Sequence, residues 1–177
     1  MTANNEYGKA LFLLTEEEGS TERTVADIKT VLSCLNENPD YTKLLDTPAI
    51  AKDEKITLID NAFSSLEPML VNLIKILSEK HAVYSFASVS DTYVSLYNEA
   101  RGIEEVEAVT ARPLTEAQAE KLKEKLAGLT GKTIILKNTV SAEILGGIKL
   151  RYMGRQIDGS VRTRLDKFED SLKNIVI

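Results

Sequence analysis

The chain has 177 residues, of which 43% are hydrophobic and 28% charged, and its formal net charge is -5. This balance is typical of a globular protein with a sizeable core, and it excludes a disordered or fibrous one. Residues 1–102 hold 16 acidic and 9 basic residues, whereas residues 103–177 hold 11 and 13. That asymmetry favours two units with different partners, although two plainly solvated surfaces would give the same pattern.

Apolar residues recur at helical spacing through the first half of the chain and predict a compact six-helix bundle. The first and fifth predicted helices are apolar around much of their circumference. Their stripe positions are Tyr7, Ala10, Leu11 and Leu14 in the first helix and Leu70, Leu73, Ile74 and Leu77 in the fifth. Burial at the centre of the bundle is one explanation for this pattern. The other is a groove that accepts an amphipathic helix from a partner.

Local signals predict several helix ends in the same half. Asn38-Pro39 and Thr47-Pro48 each place a capping residue before a proline, and proline is harmless at the first helical position because its missing N–H has no helical partner there. We therefore expect two short helices at these pairs. Gly102 is placed to close the sixth helix in a left-handed conformation.

From Glu105 the apolar period shortens to two, which predicts a strand. Thr115 and Gln118 have the spacing of a capping box, so a helix should begin there and bury Ala119, Leu122, Leu126 and Leu129. A buried strand is expected at residues 133–136 and another strand at residues 148–152. A hairpin turn at residues 153–156 should lead into a short strand ending near Ile157, and a last helix should follow with an apolar seam over residues 161–175. The predicted fold is α+β, mostly α, with a six-helix bundle at residues 1–104 and a small α/β domain at residues 105–177.

No stretch approaches the roughly 20 apolar residues of a membrane-spanning helix. Residues 1–6 lack the basic region and apolar core of a secretion signal. We therefore expect a soluble protein of a bacterial-type cytosol, and a peripheral role at a membrane remains open.

Signals for catalysis or cofactor binding are weak. The chain has one cysteine and one histidine, which excludes an internal disulfide and a zinc cluster. Gly131-Lys132-Thr133 resembles the end of a phosphate-binding loop, but Leu126 stands where that motif needs glycine, and the order of strand and helix is reversed. His81 has no nucleophile in a recognisable setting around it. We expect no catalytic residue, no metal and no cofactor.

A basic cluster near the end of the chain is the best case for nucleic-acid binding. Its members are Lys149, Arg151, Arg155, Arg162, Arg164 and Lys167. Tyr152 is the lone aromatic residue within that run, so a base-stacking platform is missing. An acidic protein partner or plain solvation is favoured over nucleic acid, and an RNA-binding or regulatory adaptor remains the alternative function.

The segments Leu145-Gly146-Gly147-Ile148-Lys149-Leu150 and Ile157-Asp158-Gly159-Ser160-Val161-Arg162 resemble the C-terminal signature of the delta subunit of F-type ATP synthases, which is called the oligomycin-sensitivity-conferring protein in mitochondria. Landmarks at Tyr7, Asn38-Pro39 and Ala111-Arg112-Pro113 keep the order and spacing of that family. The signature residues Gly146, Gly147, Gly154, Asp158, Ser160 and Arg162 have local structural reasons, such as turns and a helix start.

The resemblance implies a non-catalytic stator subunit at the cytoplasmic face of the bacterial membrane, bound there only through the complex. Residues 1–104 would dock on the catalytic head, where the groove between the first and fifth helices receives the N-terminal helix of an alpha subunit. The positions Tyr7, Leu11, Leu14, Leu70, Ile74 and Leu77 would then lie at or under that contact. Residues 105–177 would join the b subunits of the peripheral stalk.

This sequence departs from the family pattern at a few positions. Glu6 and Gly8 stand where the family usually has arginine and alanine, and Lys80-His81-Ala82 replaces its usual Gly-Arg region. Because glycine has about 1 kcal/mol less helix propensity than alanine, Gly8 predicts a first helix that is looser or starts later.

Overall fold

Helical periodicity in the first half of the chain does produce helices, and the shorter period of the second half produces strands. The computed structural model describes residues 3–144, 146–152 and 155–158. The first half contains α1 (Ala3–Glu17), α2 (Thr21–Glu37), α3 (Pro39–Asp46), α4 (Lys52–Phe63), α5 (Pro68–Glu79) and α6 (Phe86–Ala100), with a 3₁₀ turn at Val83–Ser85. The second half contains β1 (Ile103–Thr110), α7 (Glu116–Thr130), β2 (Thr133–Val140), β3 (Ile148–Tyr152) and β4 (Arg155–Asp158). The predicted class, α+β and mostly α, is confirmed.

Internal packing divides the chain into two units between Ala100 and Arg101. Strand β1 begins at Ile103, two residues earlier than the predicted start at Glu105. The predicted boundary between residues 104 and 105 therefore falls inside a strand. The strand starts earlier because Ile103 and Glu104 pair with β2, and this pairing partner is distant in sequence.

The first unit is built around an apolar core to which α1–α6 all contribute. Its most deeply buried side chains are Ile28, Val31, Leu45, Ile59, Leu70, Ile74, Leu77, Val83, Phe86, Val89 and Tyr93. Burying a side chain of this size stabilises the folded state by roughly 1.5–3 kcal/mol. Packing of the stripes therefore accounts for most of the stability of these short helices.

Two aspartates cap helix starts that are distant in sequence. The Asp27 carboxylate on α2 accepts a 2.8 Å hydrogen bond from the backbone N–H of Glu67, the residue before α5. Asp46, at the end of α3, accepts hydrogen bonds from the N–H groups of Val83 and Tyr84 at 2.7 and 3.0 Å. Free N–H groups at helix starts favour carboxylates. These contacts hold α5 and the turn before α6 in place.

One of the two proline-based helix predictions is confirmed and the other is wrong. Helix α3 begins at Pro39 with Asn38 as its N-cap. Thr47, by contrast, is the C-cap of α3, and α4 begins only at Lys52 with Ala51 as its N-cap. Pro48 lies in the turn between them, because the backbone at Thr47 is already committed to ending α3.

The second unit contains a four-stranded sheet in the order β2-β1-β3-β4. β1 is parallel to β2 and antiparallel to β3. This central position buries Val106, Ala108 and Thr110 of β1. β2 was expected to be a buried strand, but within it only Ile134 is buried. The expectation is wrong because β2 lies at the edge of the sheet among the described strands, where it pairs only with β1.

Helix α7 has the predicted boundaries. The Gln118 N–H donates to the Thr115 hydroxyl at 3.3 Å, and the Thr115 N–H donates to Gln118 Oε1 at 3.0 Å, which completes the capping box. Gly131 ends the helix in the left-handed region with φ 68°, and Gly102 closes α6 at φ 61°. The predicted buried stripe is wrong: no residue of α7 is buried, Ala119, Leu122 and Leu126 are half-buried, and Leu129 is 83% exposed. Among the described elements, α7 packs mainly on the edge strand β2.

Two further predictions concern the turn before β4 and the last helix of the chain. Arg155 pairs with Tyr152, and Gln156 pairs with Arg151. The predicted turn at residues 153–156 is therefore too long, because its last two residues belong to β4. The predicted last helix over residues 161–175 lies outside the described residues.

Candidate functional site

Four of the six residues predicted for a partner groove lie in the apolar core. Leu70, Ile74 and Leu77 of α5 are 0% exposed, and Leu11 of α1 is 4% exposed. Helices α1 and α5 pack directly against each other. The four side chains therefore form a floor beneath the surface, where a partner cannot touch them.

Solvent reaches the other part of the predicted set. Leu14 is 49% exposed and Tyr7 is half-buried. Sequence reasoning missed two residues of α5 that also reach the surface, Ile76, which is 43% exposed, and Met69, which is half-buried. A partial signal is their position off the stripe formed by Leu70, Leu73, Ile74 and Leu77. It is not sufficient, because Val71 is also off that stripe and is buried.

These surface residues define two apolar edges. Tyr7, Ala10 and Leu14 follow each other at spacings of three and four along α1, so they share a face. Met69 and Ile76 share one side of α5 in the same way. We use the name α1–α5 groove for the predicted docking surface: its edges would be Tyr7, Ala10, Leu14, Met69 and Ile76, and its floor Leu11, Leu70, Ile74 and Leu77.

The opposite side of α5 faces α4. Lys75 on that side places its Nζ 2.6 Å from Asp60 Oδ1 of α4. Met69 and Ile76 lie on a different side of α5 from Lys75. This arrangement leaves the edges of the α1–α5 groove apolar, with the ion pair on the other flank of the helix.

The two departures in the first helix have structural explanations. Gly8 lies where α1 crosses α6, and a Cβ atom there would be 2.7 Å from the carbonyl oxygen of Val89 and 2.8 Å from the Cβ of Thr92. The expectation of a looser or later helix is wrong, since α1 already runs from Ala3 and Gly8 permits its close contact with α6. Glu6 is exposed and pairs with Lys9 at 3.9 Å within the same helix.

The C-terminal signature is described only in part. Gly147 has φ 85°, which supports its expected role before β3, and Gly146 precedes it. Asp158 ends β4. Gly154, Ser160 and Arg162 lie outside the described residues.

The basic cluster is likewise only partly described. Arg151 donates to Glu107 Oε2 at 3.2 Å, and Thr139 donates to Glu107 Oε1 at 2.8 Å. These two contacts, the hydrogen bond from Thr139 first, lower the pKa of the Glu107 carboxyl. The charge of Arg151 is thus compensated within the sheet. Arg162, Arg164 and Lys167 lie outside the described residues.

Neither a metal centre nor a membrane span is found in the part of the chain that the structure describes. No cluster of three or more His, Cys, Asp or Glu residues there is arranged to hold a metal ion. No helix there has both the length and the apolarity needed to cross a membrane.

Comparison with known proteins identifies the family. The family model described as ATP synthase delta (OSCP) subunit matches residues 3–172. The ATP synthase subunit delta of Clostridioides difficile (strain 630) is 32% identical over 174 residues, covering 97% of this chain and 96% of the relative. That of Geobacillus sp. (strain WCH70) is 32% identical, with 94% of each chain covered.

The fold agrees with a solved structure. A chain in the cryo-EM structure of the Toxoplasma gondii mitochondrial ATP synthase hexamer matches with a TM-score of 0.75 and 21% identity, over 97% of this chain and 98% of that one. The resemblance noted in the sequence is thereby confirmed at the level of family. The chain belongs to the ATP synthase delta (OSCP) subunit family, and it is a non-catalytic component of the enzyme's peripheral stalk.

Proposed function

We propose that this chain links the catalytic head of an F-type ATP synthase to the membrane-anchored b subunits at the cytoplasmic face of a bacterial membrane. The six-helix unit, residues 1–100, would bind the N-terminal helix of an alpha subunit. The α/β unit, residues 101–177, would bind the b subunits. Held in this way, the head cannot turn with the rotor, and ion transport is coupled to ATP synthesis.

The observation that carries the proposal is the apolar rim of the α1–α5 groove. Leu14 and Ile76 are 49% and 43% exposed above a floor that is itself closed. Isolated exposed apolar residues are ordinary, but two apolar edges along packed helices fit the apolar face of an amphipathic helix. Docking such a helix would remove these edges from water. Each Å² of apolar surface buried in this way stabilises the complex by roughly 25 cal/mol.

The closed floor suits a mechanical task. Ile74 and Leu77 are fully buried, and close-packed interiors deform little under force. A stator has to transmit torque and needs no chemistry of its own. A helix bound over a rigid floor meets this need, since the contact energy is concentrated in a few well-packed apolar anchors.

Calorimetric titration of the full chain with a peptide of the alpha subunit's N-terminal region tests this docking. We expect binding with a negative heat-capacity change. Ile76→Asp and Leu14→Asp should each weaken it about tenfold or more, because a buried carboxylate would lack a partner. Both positions are exposed in the free protein, so the variants should fold, whereas Asp at Ile74 would disrupt the core.

Leu129→Asp is the matched control, since Leu129 is an exposed leucine of the other unit. It should leave binding of the alpha peptide unchanged. A folded chain that does not bind the peptide, or binds it equally well with Ile76→Asp, contradicts the groove assignment.

The second unit supports the b-subunit contact through its own exposed apolar residues. These are Leu129 of α7 and Ile135 and Val140 of β2. In a pull-down with the soluble part of the b subunits, Leu129→Asp should reduce binding and Ile76→Asp should not. The opposite pattern would show that the proposed assignment of the two partners to the two units is wrong.

A further inference from the structure

A cavity of about 210 Å³ opens between α4 and the C-terminal end of α5. Its lining carries three lysines and a histidine but a single carboxylate, that of Glu79. The apolar part of the lining is formed by Pro48, Ile50, Ile56 and Ile59. Since one water takes about 30 Å³ of liquid, this volume suffices for a small polyatomic ligand. The cavity lies on the α4 side of α5, away from the α1–α5 groove.

Two of the three lysines have carboxylate partners. Lys52 Nζ is 2.9 Å from Glu79 Oε1, and Lys75 Nζ is 2.6 Å from Asp60 Oδ1. Lys55 differs from both. It is only 4% exposed, and within the described residues no carboxylate forms an ion pair with it. Burying a cation without an anion costs free energy, so an anionic ligand bound beside Lys55 would be stabilising.

The side-chain neighbour of the Lys55 ammonium is the imidazole of His81. Lys55 Nζ lies 3.4 Å from His81 Nδ1, a long contact that supplies no negative charge. The Ser78 hydroxyl at the same cavity already donates to the carbonyl of Leu45 at 3.0 Å. Lys55 and His81 therefore keep N–H groups free to meet a ligand.

The backbone at the end of α5 determines where the His81 imidazole lies. Its φ of 53° is positive, because His81 occupies the left-handed position where α5 ends, with the Ala82 N–H bonded to the Leu77 carbonyl at 2.8 Å. This conformation costs a residue with a Cβ roughly 1–2 kcal/mol. Here it directs an imidazole toward the one buried lysine of the cavity lining.

We propose that this cavity binds a small oxyanion, with the Lys55 ammonium as its charge partner and the His81 imidazole as a second hydrogen-bond donor. Free phosphate and a carboxylate group share this chemistry. The competing explanation is that Lys55 only offsets the negative end of the α5 dipole. The proposal does not depend on docking at the α1–α5 groove.

Titration of the full chain with inorganic phosphate at constant ionic strength, followed by backbone amide NMR, tests the site. We expect saturable shifts at residues around Lys55 and His81. Lys55→Met keeps the length of the side chain and removes the charge, and it should weaken binding at least about tenfold, as expected for loss of a charged hydrogen bond. Lys29→Met, at an exposed lysine of α2, is the matched control and should bind as the parent does.

His81→Gly provides a variant that the strained backbone should tolerate well. It should fold at least as stably as the parent and yet bind phosphate more weakly. Shifts that do not saturate, or equal affinity in Lys55→Met and Lys29→Met, would overturn the proposal. If Lys55→Met does not fold, unchanged affinity in His81→Gly overturns it instead.

A second titration, with acetate in place of phosphate, distinguishes the two sources of the anion. Tighter binding of acetate than of phosphate points to a carboxylate side chain of a partner protein. Tighter binding of phosphate points to a free tetrahedral anion.

Discussion

The hydroxyl oxygens of Thr15 and Tyr93 lie 2.7 Å apart although the residues are 78 positions apart in sequence. Both side chains are fully buried. Each hydroxyl also meets a backbone carbonyl, that of Leu11 at 3.0 Å from Thr15 and that of Thr21 at 3.5 Å from Tyr93. The Tyr93 ring also meets Phe12 edge-on, at 5.8 Å between centroids. This contact fixes α1, which carries one edge of the α1–α5 groove, against α6.

Tyr93→Phe should destabilise the protein by about 1–2 kcal/mol, because a buried hydrogen bond is lost while the ring packing stays. Urea unfolding measures the change. Tyr84→Phe is the control, since Tyr84 is 74% exposed and should change stability by less than about 0.5 kcal/mol. Equal effects for the two variants would show that the Thr15–Tyr93 bond contributes nothing.

Gly8→Ala should destabilise the protein although alanine is the better helix former. The propensity gain is about 1 kcal/mol. Against it, the new Cβ would lie 2.7 Å from the Val89 carbonyl oxygen, and such overpacking typically costs about 1–3 kcal/mol. A shift of α1 away from α6 would disturb the α1–α5 groove as well.

Gly128→Ala is the matched control for this clash. Gly128 lies within α7 with nothing near the added methyl group, so the variant should gain about 0.5–1 kcal/mol. Thermal unfolding of both variants gives the comparison. A stabilised Gly8→Ala protein would contradict the close contact between α1 and α6.

His81→Gly should stabilise the protein by about 1 kcal/mol. Helix α5 ends in a Schellman arrangement, with the Ala82 N–H bonded to the Leu77 carbonyl at 2.8 Å and His81 at the left-handed position. Glycine adopts this conformation without a Cβ penalty. His81→Ala removes the ring but keeps the Cβ, so it should show no such gain in urea unfolding. Equal stability of His81→Gly and His81→Ala would contradict the claim that the backbone at His81 is strained.

Alkaline pH should weaken the fold through Tyr41. Burial raises the pKa of Tyr41 to about 12, and its hydroxyl donates to the Leu58 carbonyl at 3.0 Å. In the unfolded chain a tyrosine ionises near pH 10. The stabilisation from the protonated phenol is therefore fully present below about pH 10 and is lost as the pH rises toward 12.

Unfolding midpoints at pH 9, 10 and 11 test this dependence. In Tyr41→Phe the loss between pH 10 and 11 should be smaller than in the parent. A residual loss is expected from Tyr93, because burial also raises its pKa. An identical pH profile for parent and variant would exclude Tyr41 as a contributor.

Much of the local structure was predictable because its causes are local. The capping box at Thr115 and Gln118, the helix stop at Gly131 and the proline start of α3 all depend on groups within one turn of each other. The prediction at Thr47-Pro48 used the same kind of signal and was wrong. The conformation there is set by the end of α3, which the two residues Thr47 and Pro48 alone do not indicate.

Sequence periodicity was enough to separate the helical unit from the sheet unit and to identify the buried stripe of α5. The ordered glycines and prolines were enough to identify the family. Which apolar residues remain at the surface depended on the tertiary structure. Leu14 and Ile76 are exposed while Ile74 is not, because burial is decided by which neighbouring helices cover each side. The same holds for Lys55 and His81, which come from different elements and meet only when α4 packs on α5.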